Sequence, residues 1–156
     1  MNQPLAQRLR PKTLADVCGQ QHLLAPGRVF RRTIESGKIP NMIFYGPSGT
    51  GKDTVVAALL KKHPEIQHTV SATTRTPREG EKDGINYHFM SVADFEDHLA
   101  HDQIVEHTKY CENYYGTLRS EIEGRMKLGI PVILVIEVEG AGNIKKMYPG
   151  ATTIFV

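Results

Sequence analysis

"GPSGTGKDT", residues 46 to 54, decides how this chain is read. It nearly completes the phosphate-loop pattern G-x-x-x-x-G-K-[ST], with Asp53 where a hydroxyl is usual and Thr54 offering one a position late. The apolar "NMIFY" before it reads as a buried strand. "KDTVVAALLKKH" after it reads as a helix ended by Pro64. In a strand, loop and helix of this kind, Gly46, Gly49 and Gly51 let backbone N–H groups turn toward phosphates. The helix N-terminus adds positive potential, and Lys52 supplies a point charge. A carboxylate at position 53 brings negative charge to such a place, yet it is itself a good Mg²⁺ ligand, which makes Asp53 the candidate metal residue.

Working outward, the remainder alternates helical and strand patterns. "IQHTV" (66–70), "PVILVIEV" (131–138) and "ATTIFV" (151–156) read as strands. "SVADFEDHLA" (91–100) reads as a helix with Ser91 as its cap and Asp94 three residues on. "TLRSEIEGRMKLG" (117–129) reads as a helix capped by Thr117 and closed by Gly129. Arg28 to Ser36 reads as a basic helix with Val29, Phe30, Thr33 and Ile34 on one face and Gly37 as its stop. The residues before it are broken by Pro11, Pro26 and glycines, so they read as short elements draped over the rest rather than as core. Helices alternating with apolar strands predict an α/β fold, a mostly parallel sheet with helices on both faces.

Composition narrows the function classes. The 156 residues suffice for about one domain, and nineteen Lys and Arg against seventeen Asp and Glu leave a formal charge of +2, which calls for neither nucleic acid nor an anionic membrane. The longest apolar run, Val132 to Val138, is far short of a spanning helix, and no signal-peptide core opens the chain, so a cytoplasmic protein is expected. Cys18 and Cys111 sit in no metal-ligand or redox spacing and are expected to be reduced.

A second informative stretch is "SATTRTPREGEKDGINYHF", residues 71 to 89. Arg75 and Arg78, with Pro77 between them, can converge on one multiply charged anion, and Tyr87 adds a donor. Downstream, "NYYGT" (113–117) places Tyr115 and Thr117 at what reads as the mouth of a helix.

Together with "FEDHLAHDQIVEH" and "VILVIEVEGA", these stretches occur in an order and spacing that resembles the guanylate kinase family from residue 46 to residue 156. The resemblance implies a P-loop nucleoside monophosphate kinase-like fold, C-terminally truncated relative to the family. It implies a kinase domain over 41–156 and a GMP-binding subdomain at about 71–117. It further implies transfer of the γ-phosphoryl of ATP to GMP with Mg²⁺. ATP would be held by Gly46, Pro47, Ser48, Gly49, Thr50, Gly51, Lys52, Asp53 and Thr54. The GMP phosphate would be held by Arg75, Arg78, Tyr87 and Tyr115, and the guanine by Ser71, Glu106, Thr117 and Glu137. Lys52, Arg75 and Arg78 would be the catalytic charges. Val135, Glu137, Glu139 and Asp53 depart from the family's usual residues, and the sequence stops before a lid with arginines, so weak turnover or a pure binding module is the alternative expectation. The opening, "PLAQRLRPKTLADVCGQQHLLAPG" and on through the loop, resembles an AAA+ ATPase of the replication-associated recombination clade. In that family the segment matching Val17 to Gln20 wraps the adenine of ATP. That resemblance sets residues 1–40 apart as an AAA+-like segment and adds a third expectation, an ATP-binding fragment linked to DNA recombination.

Overall fold

The computed structural model describes residue 11, residues 13–47 and residues 49–156. After a 3-10 turn at Leu14–Asp16 come α1 (Gln21–Leu24), α2 (Val29–Glu35), β1 (Met42–Tyr45), α3 (Lys52–Lys62), β2 (Gln67–His68), β3 (Ser71–Thr73) and β4 (His88–Phe89). Then follow α4 (Val92–Ala100), β5 (Ile104–Tyr110), β6 (Asn113–Leu118), α5 (Arg119–Lys127), β7 (Val132–Ile136), α6 (Val138–Met147) and β8 (Thr152–Phe155). The strands form two four-stranded sheets, ordered β2-β7-β1-β8 and β4-β3-β6-β5.

Every pair in the first sheet is parallel, as its continuous apolar strands predict. Alternation along β1 sends Met42 and Phe44 to one face and Ile43 to the other. The first face is filled by Val55, Leu59 and the opening segment through Leu14, Val17, Leu24, Phe30 and Ile34. The second is filled by Ile122 of α5 and by Ala141 and Ile144 of α6. Tyr45 pairs with both Ile136 and Phe155, so the chain leaves β1, β7 and β8 at one edge with Gly46, Glu137 and Val156 side by side. Ligands of open parallel sheets bind at such an edge.

In the second sheet β3 runs antiparallel to β6, and β6 to β5, while β4 is parallel to β3. Its core is small, Ala72, Ile104 and a fully buried Phe95 from α4 that stacks on Tyr114 with centroids 5.2 Å apart. The capping box of α4 forms as expected, with Ser91 Oγ accepting from the Asp94 amide.

Several expectations require correction. Leu14, Val17 and Leu24 are buried, so the described part of the opening segment belongs to the core instead of draping over it. Val29 is 71% exposed; a helix only seven residues long turns Phe30 and Ile34 inward and leaves Val29 outside. "NYYGT" is strand β6, not a helix mouth. Thr117 therefore lies within a sheet, and α5 starts after Leu118 with no side-chain cap. β2 is reduced to two residues because only Gln67 and His68 pair with β7.

Candidate functional site

The phosphate loop joins β1 to α3, and two of its glycines are needed for different reasons. A Cβ on Gly46 would collide with the carbonyl oxygen of Val156, and Gly51 starts α3 from a left-handed φ of 94°. Lys52 is buried. Its Nζ donates to the carbonyls of Gly46 at 2.6 Å and Pro47 at 2.8 Å and lies 3.6 Å from Glu137 Oε1. An ammonium with three donors is thus held at the sheet edge by the loop it serves. Thr50 Oγ1 donates to Pro47 O, tightening the same turn. Asp53 is exposed in the first turn of α3, a favourable place for a negative charge, and Thr54 is half-buried one residue on. Ser48 lies outside the described residues.

Beside the loop is a cavity of about 290 Å³, walled by Asp16, Val17, Cys18 and Gln20 on one side and by Thr50 and Thr54 on the other. Gln20 adopts a left-handed φ of 53° and its Nε2 donates to Thr50 O at 3.1 Å, while its Oε1 is buried without a hydrogen-bond partner among the described residues.

The second cluster is assembled by strand register. Thr117 on β6 is paired with Ser71 on β3 and with Glu106 on β5, so three residues far apart in sequence form one row across the sheet. A β-bulge between Ile104 and Glu106 makes this row: Ile104 pairs with Leu118, yet Glu106 pairs with Thr117. Without the extra residue Glu106 would share Ile104's apolar face. Thr117 Oγ1 donates to Glu106 Oε1 at 2.7 Å. Burial pushes the Glu106 carboxyl above the ordinary glutamate range; the Thr117 hydrogen bond opposes this, and the nearby charge of Glu137 adds to it. Glu137, assigned to the guanine from the family resemblance, lies 3.6 Å from Lys52 Nζ and caps α6, the helix against whose first turn Glu106 lies.

Arg75 is held in the loop after β3. Its Nη2 donates to Glu81 Oε1 at 2.9 Å, its Nη1 donates to Thr76 O, and its guanidinium lies 5.4 Å from the Tyr87 ring centroid and 5.7 Å from that of Phe89. Tyr87 in turn packs edge-on against Tyr115 at 6.1 Å. The Arg78 amide donates to Glu81 Oε2 at 2.7 Å, and its side chain is exposed. Arg75, Tyr87 and Tyr115 are thus in mutual contact, with Arg78 at the rim of the same turn.

Two residues escaped the sequence reading. Glu81 ties Arg75 to the Arg78 backbone; its spacing of three from Arg78 across Gly80 was the available signal. Glu121 joins the second sheet to α5. It accepts from the Val70 amide at 2.8 Å, lies 3.1 Å from His88 Nε2 and pairs with Arg125 at 2.8 Å. Burial acts most strongly on its carboxyl and pushes it up, but the Val70 amide, His88 and Arg125 together hold it below the ordinary range. Among the described residues no helix is long and apolar enough to cross a membrane.

The guanylate kinase family model matches residues 38–156. A guanylate kinase of Gloeobacter violaceus is 44% identical over 115 residues, covering 74% of this chain and 56% of that protein. One of Desulfitobacterium hafniense is 43% identical over 115 residues, covering 74% and 58%. The crystal structure of guanylate kinase from Anaplasma phagocytophilum superposes with a TM-score of 0.60 at 30% identity, covering 75% of this chain and 58% of that one. The chain spans a little over half the length of these relatives, and the family match begins at residue 38. The α/β fold with its parallel sheet, the loop between β1 and α3 and these matches agree: the chain belongs to the guanylate kinase family.

Proposed function

We propose that this chain carries the ATP and GMP sites of a guanylate kinase and that the γ-phosphoryl of ATP passes to GMP there, giving ADP and GDP. The supporting observation is the element the two clusters share: Glu137 at the N-terminus of α6 lies 3.6 Å from Lys52 Nζ, and Glu106 lies against Gly140 in the first turn of the same helix. In this reading Ser71, Glu106, Thr117 and Glu137 contact the guanine, whose ring N–H and amino group suit carboxylate acceptors. Arg75, Arg78, Tyr87 and Tyr115 hold the GMP phosphate, within a GMP-binding subdomain at about 71–117. Lys52 neutralises charge on the transferring group, with Arg75 and Arg78 on the acceptor side. Such a transfer depends on positioning and electrostatics more than on covalent help.

Mg²⁺ bound with ATP would supply further charge neutralisation. Asp53 and the phosphates themselves would hold it, since Mg²⁺ is commonly bound by one or two carboxylates plus substrate phosphates. The exposed Asp53 carboxylate one residue past Lys52 is a hard oxygen donor that fits this role. The adenine belongs, in the same proposal, to the cavity beside Gln20, which the opening segment and the phosphate loop wall together. The buried, unpartnered Gln20 Oε1 is an acceptor suited to its amino group. Two free, exposed cysteines suit a reducing compartment, and we place the reaction in the cytoplasm.

Calorimetric titration with GMP and AMP tests the acceptor site. GMP is expected to bind at least ~10-fold more tightly than AMP, the discrimination that unpaired buried polar groups impose on a wrong ligand. Equal affinities would end the reading. Gln20→Ala is expected to weaken ATP and leave GMP unchanged; an unaltered ATP affinity would remove the cavity from the account.

A further inference from the structure

We propose that Gly140, in the first turn of α6, is a specificity-determining position: its lack of a side chain lets the Glu106 carboxylate lie against α6 in the orientation needed to read the base. The inference rests on the GMP reading above and adds a residue to it. A Cβ built on Gly140 would lie 2.9 Å from Glu106 Oε2 and 3.5 Å from both Glu106 Cβ and Cδ, its three nearest atoms outside its chain neighbours and the backbone of its own helix. Real Cβ contacts do not fall below about 3.0 Å, so the carboxylate would have to turn away. Because Oε1 is tied to Thr117 Oγ1 at 2.7 Å, turning the group disturbs both oxygens together.

Backbone conformation does not explain the glycine. Gly140 is helical, without a positive φ, and alanine is the better residue in a helix. Nor does a crowded core explain it. At Gly116 an added Cβ would meet the Glu106 carbonyl oxygen at 2.8 Å and Ile104 and Phe95 at 3.0 Å, so substitution there must move a strand and the small core. At Gly140 the obstacle is only the end of one flexible side chain. Among the glycines, Gly140 alone has its missing Cβ directed at a carboxylate of the candidate site. The fold therefore tolerates a methyl group here while the site does not.

The consequence is selective. GMP offers two adjacent donors, the ring N–H and the exocyclic amino group, whereas IMP lacks the amino group. A carboxylate turned out of line loses its advantage for the two-donor edge first. The test compares the full chain with Gly140→Ala by calorimetry using GMP, IMP and a non-hydrolysable ATP analogue, alongside thermal melting. GMP is expected to weaken ~10-fold or more, IMP by no more than ~3-fold, and the ATP analogue not at all, with a melting temperature equal to or above that of the parent. In a Glu106→Ala background the same substitution is expected to add nothing. Unchanged GMP affinity, or an equal loss in the Glu106→Ala background, would overturn the proposal. NMR titration of the Glu106 carboxyl supplies a readout without nucleotide. Its midpoint is expected to move in Gly140→Ala, and an unmoved midpoint would show that Gly140 does not position Glu106. Should the parent chain fail to bind GMP, the functional reading falls, while the NMR result still decides the positioning.

Discussion

Thr117→Val removes one hydroxyl at the centre of the candidate base site and keeps the shape of the residue. Thr117 is 1% exposed, and its Oγ1 donates to Glu106 Oε1 at 2.7 Å, a short bond to a carboxyl oxygen. Hydrogen bonds to charged partners contribute about 1.5–3 kcal/mol net. Glu106 is only half-buried, so water can take up part of the lost contact and the cost to folding belongs at the lower end, ~1–2 kcal/mol. Binding suffers as well, because the carboxylate loses the contact that aligns it; ~1.5 kcal/mol there corresponds to roughly tenfold in Kd. Without the Thr117 donor, which now opposes the effect of burial, the Glu106 carboxyl is also expected to titrate still higher. Urea unfolding, calorimetry with GMP and a pH series of the GMP affinity read the three effects separately. A variant with parental stability and parental GMP affinity would refute the role given to the Thr117–Glu106 pair.

Because burial raises the Glu106 carboxyl above the ordinary value of 4.5, the folded chain holds that proton more tightly than the unfolded chain does, and the Glu106 contribution to stability falls as pH rises from 4.5 through the folded-state midpoint. GMP affinity is expected to rise over the same window, since only the ionised carboxylate accepts from both base donors. Urea midpoints and Kd values against pH, with Glu106→Gln as the reference, check the opposing signs, and parallel slopes would contradict them. Glu121→Ala is expected to cost ~2–4 kcal/mol, because it leaves the Val70 amide and Arg125 without their shared partner. A loss under ~0.5 kcal/mol in urea unfolding, the range of an ordinary surface change, would show that Glu121 does not join the second sheet to α5.

What was legible in the sequence was local. "NMIFYGPSGTGKDT" carries its strand, loop and helix start in consecutive residues, and the apolar runs of β7 and β8 announce a parallel sheet without reference to anything distant. The second sheet was legible as a set of residues but not as a geometry. Thr117 looked like a helix cap because a hydroxyl precedes a helical pattern; its pairing with Ser71 and Glu106 depends on strands whose register no local pattern reveals. The bulge before Glu106 is the clearest case. Simple alternation puts Ile104 and Glu106 on one face, and only the paired strand shows that they part. Leu14 and Val17 were misjudged for a related reason, since Pro11 and the glycines around them signal a broken segment and say nothing of the face of β1 that they cover.

In the proposed transfer, one site joins the Lys52 loop to the Ser71, Thr117 and Glu106 row so that a phosphoryl group can pass between two nucleotides. Phosphorus NMR of the folded chain with ATP, Mg²⁺ and GMP follows that transfer. GDP and ADP are expected to appear in equal amounts, and substituting AMP for GMP is expected to abolish the transfer. A chain that binds both ATP and GMP yet forms no GDP would rule out the transfer and leave a nucleotide-binding module in its place.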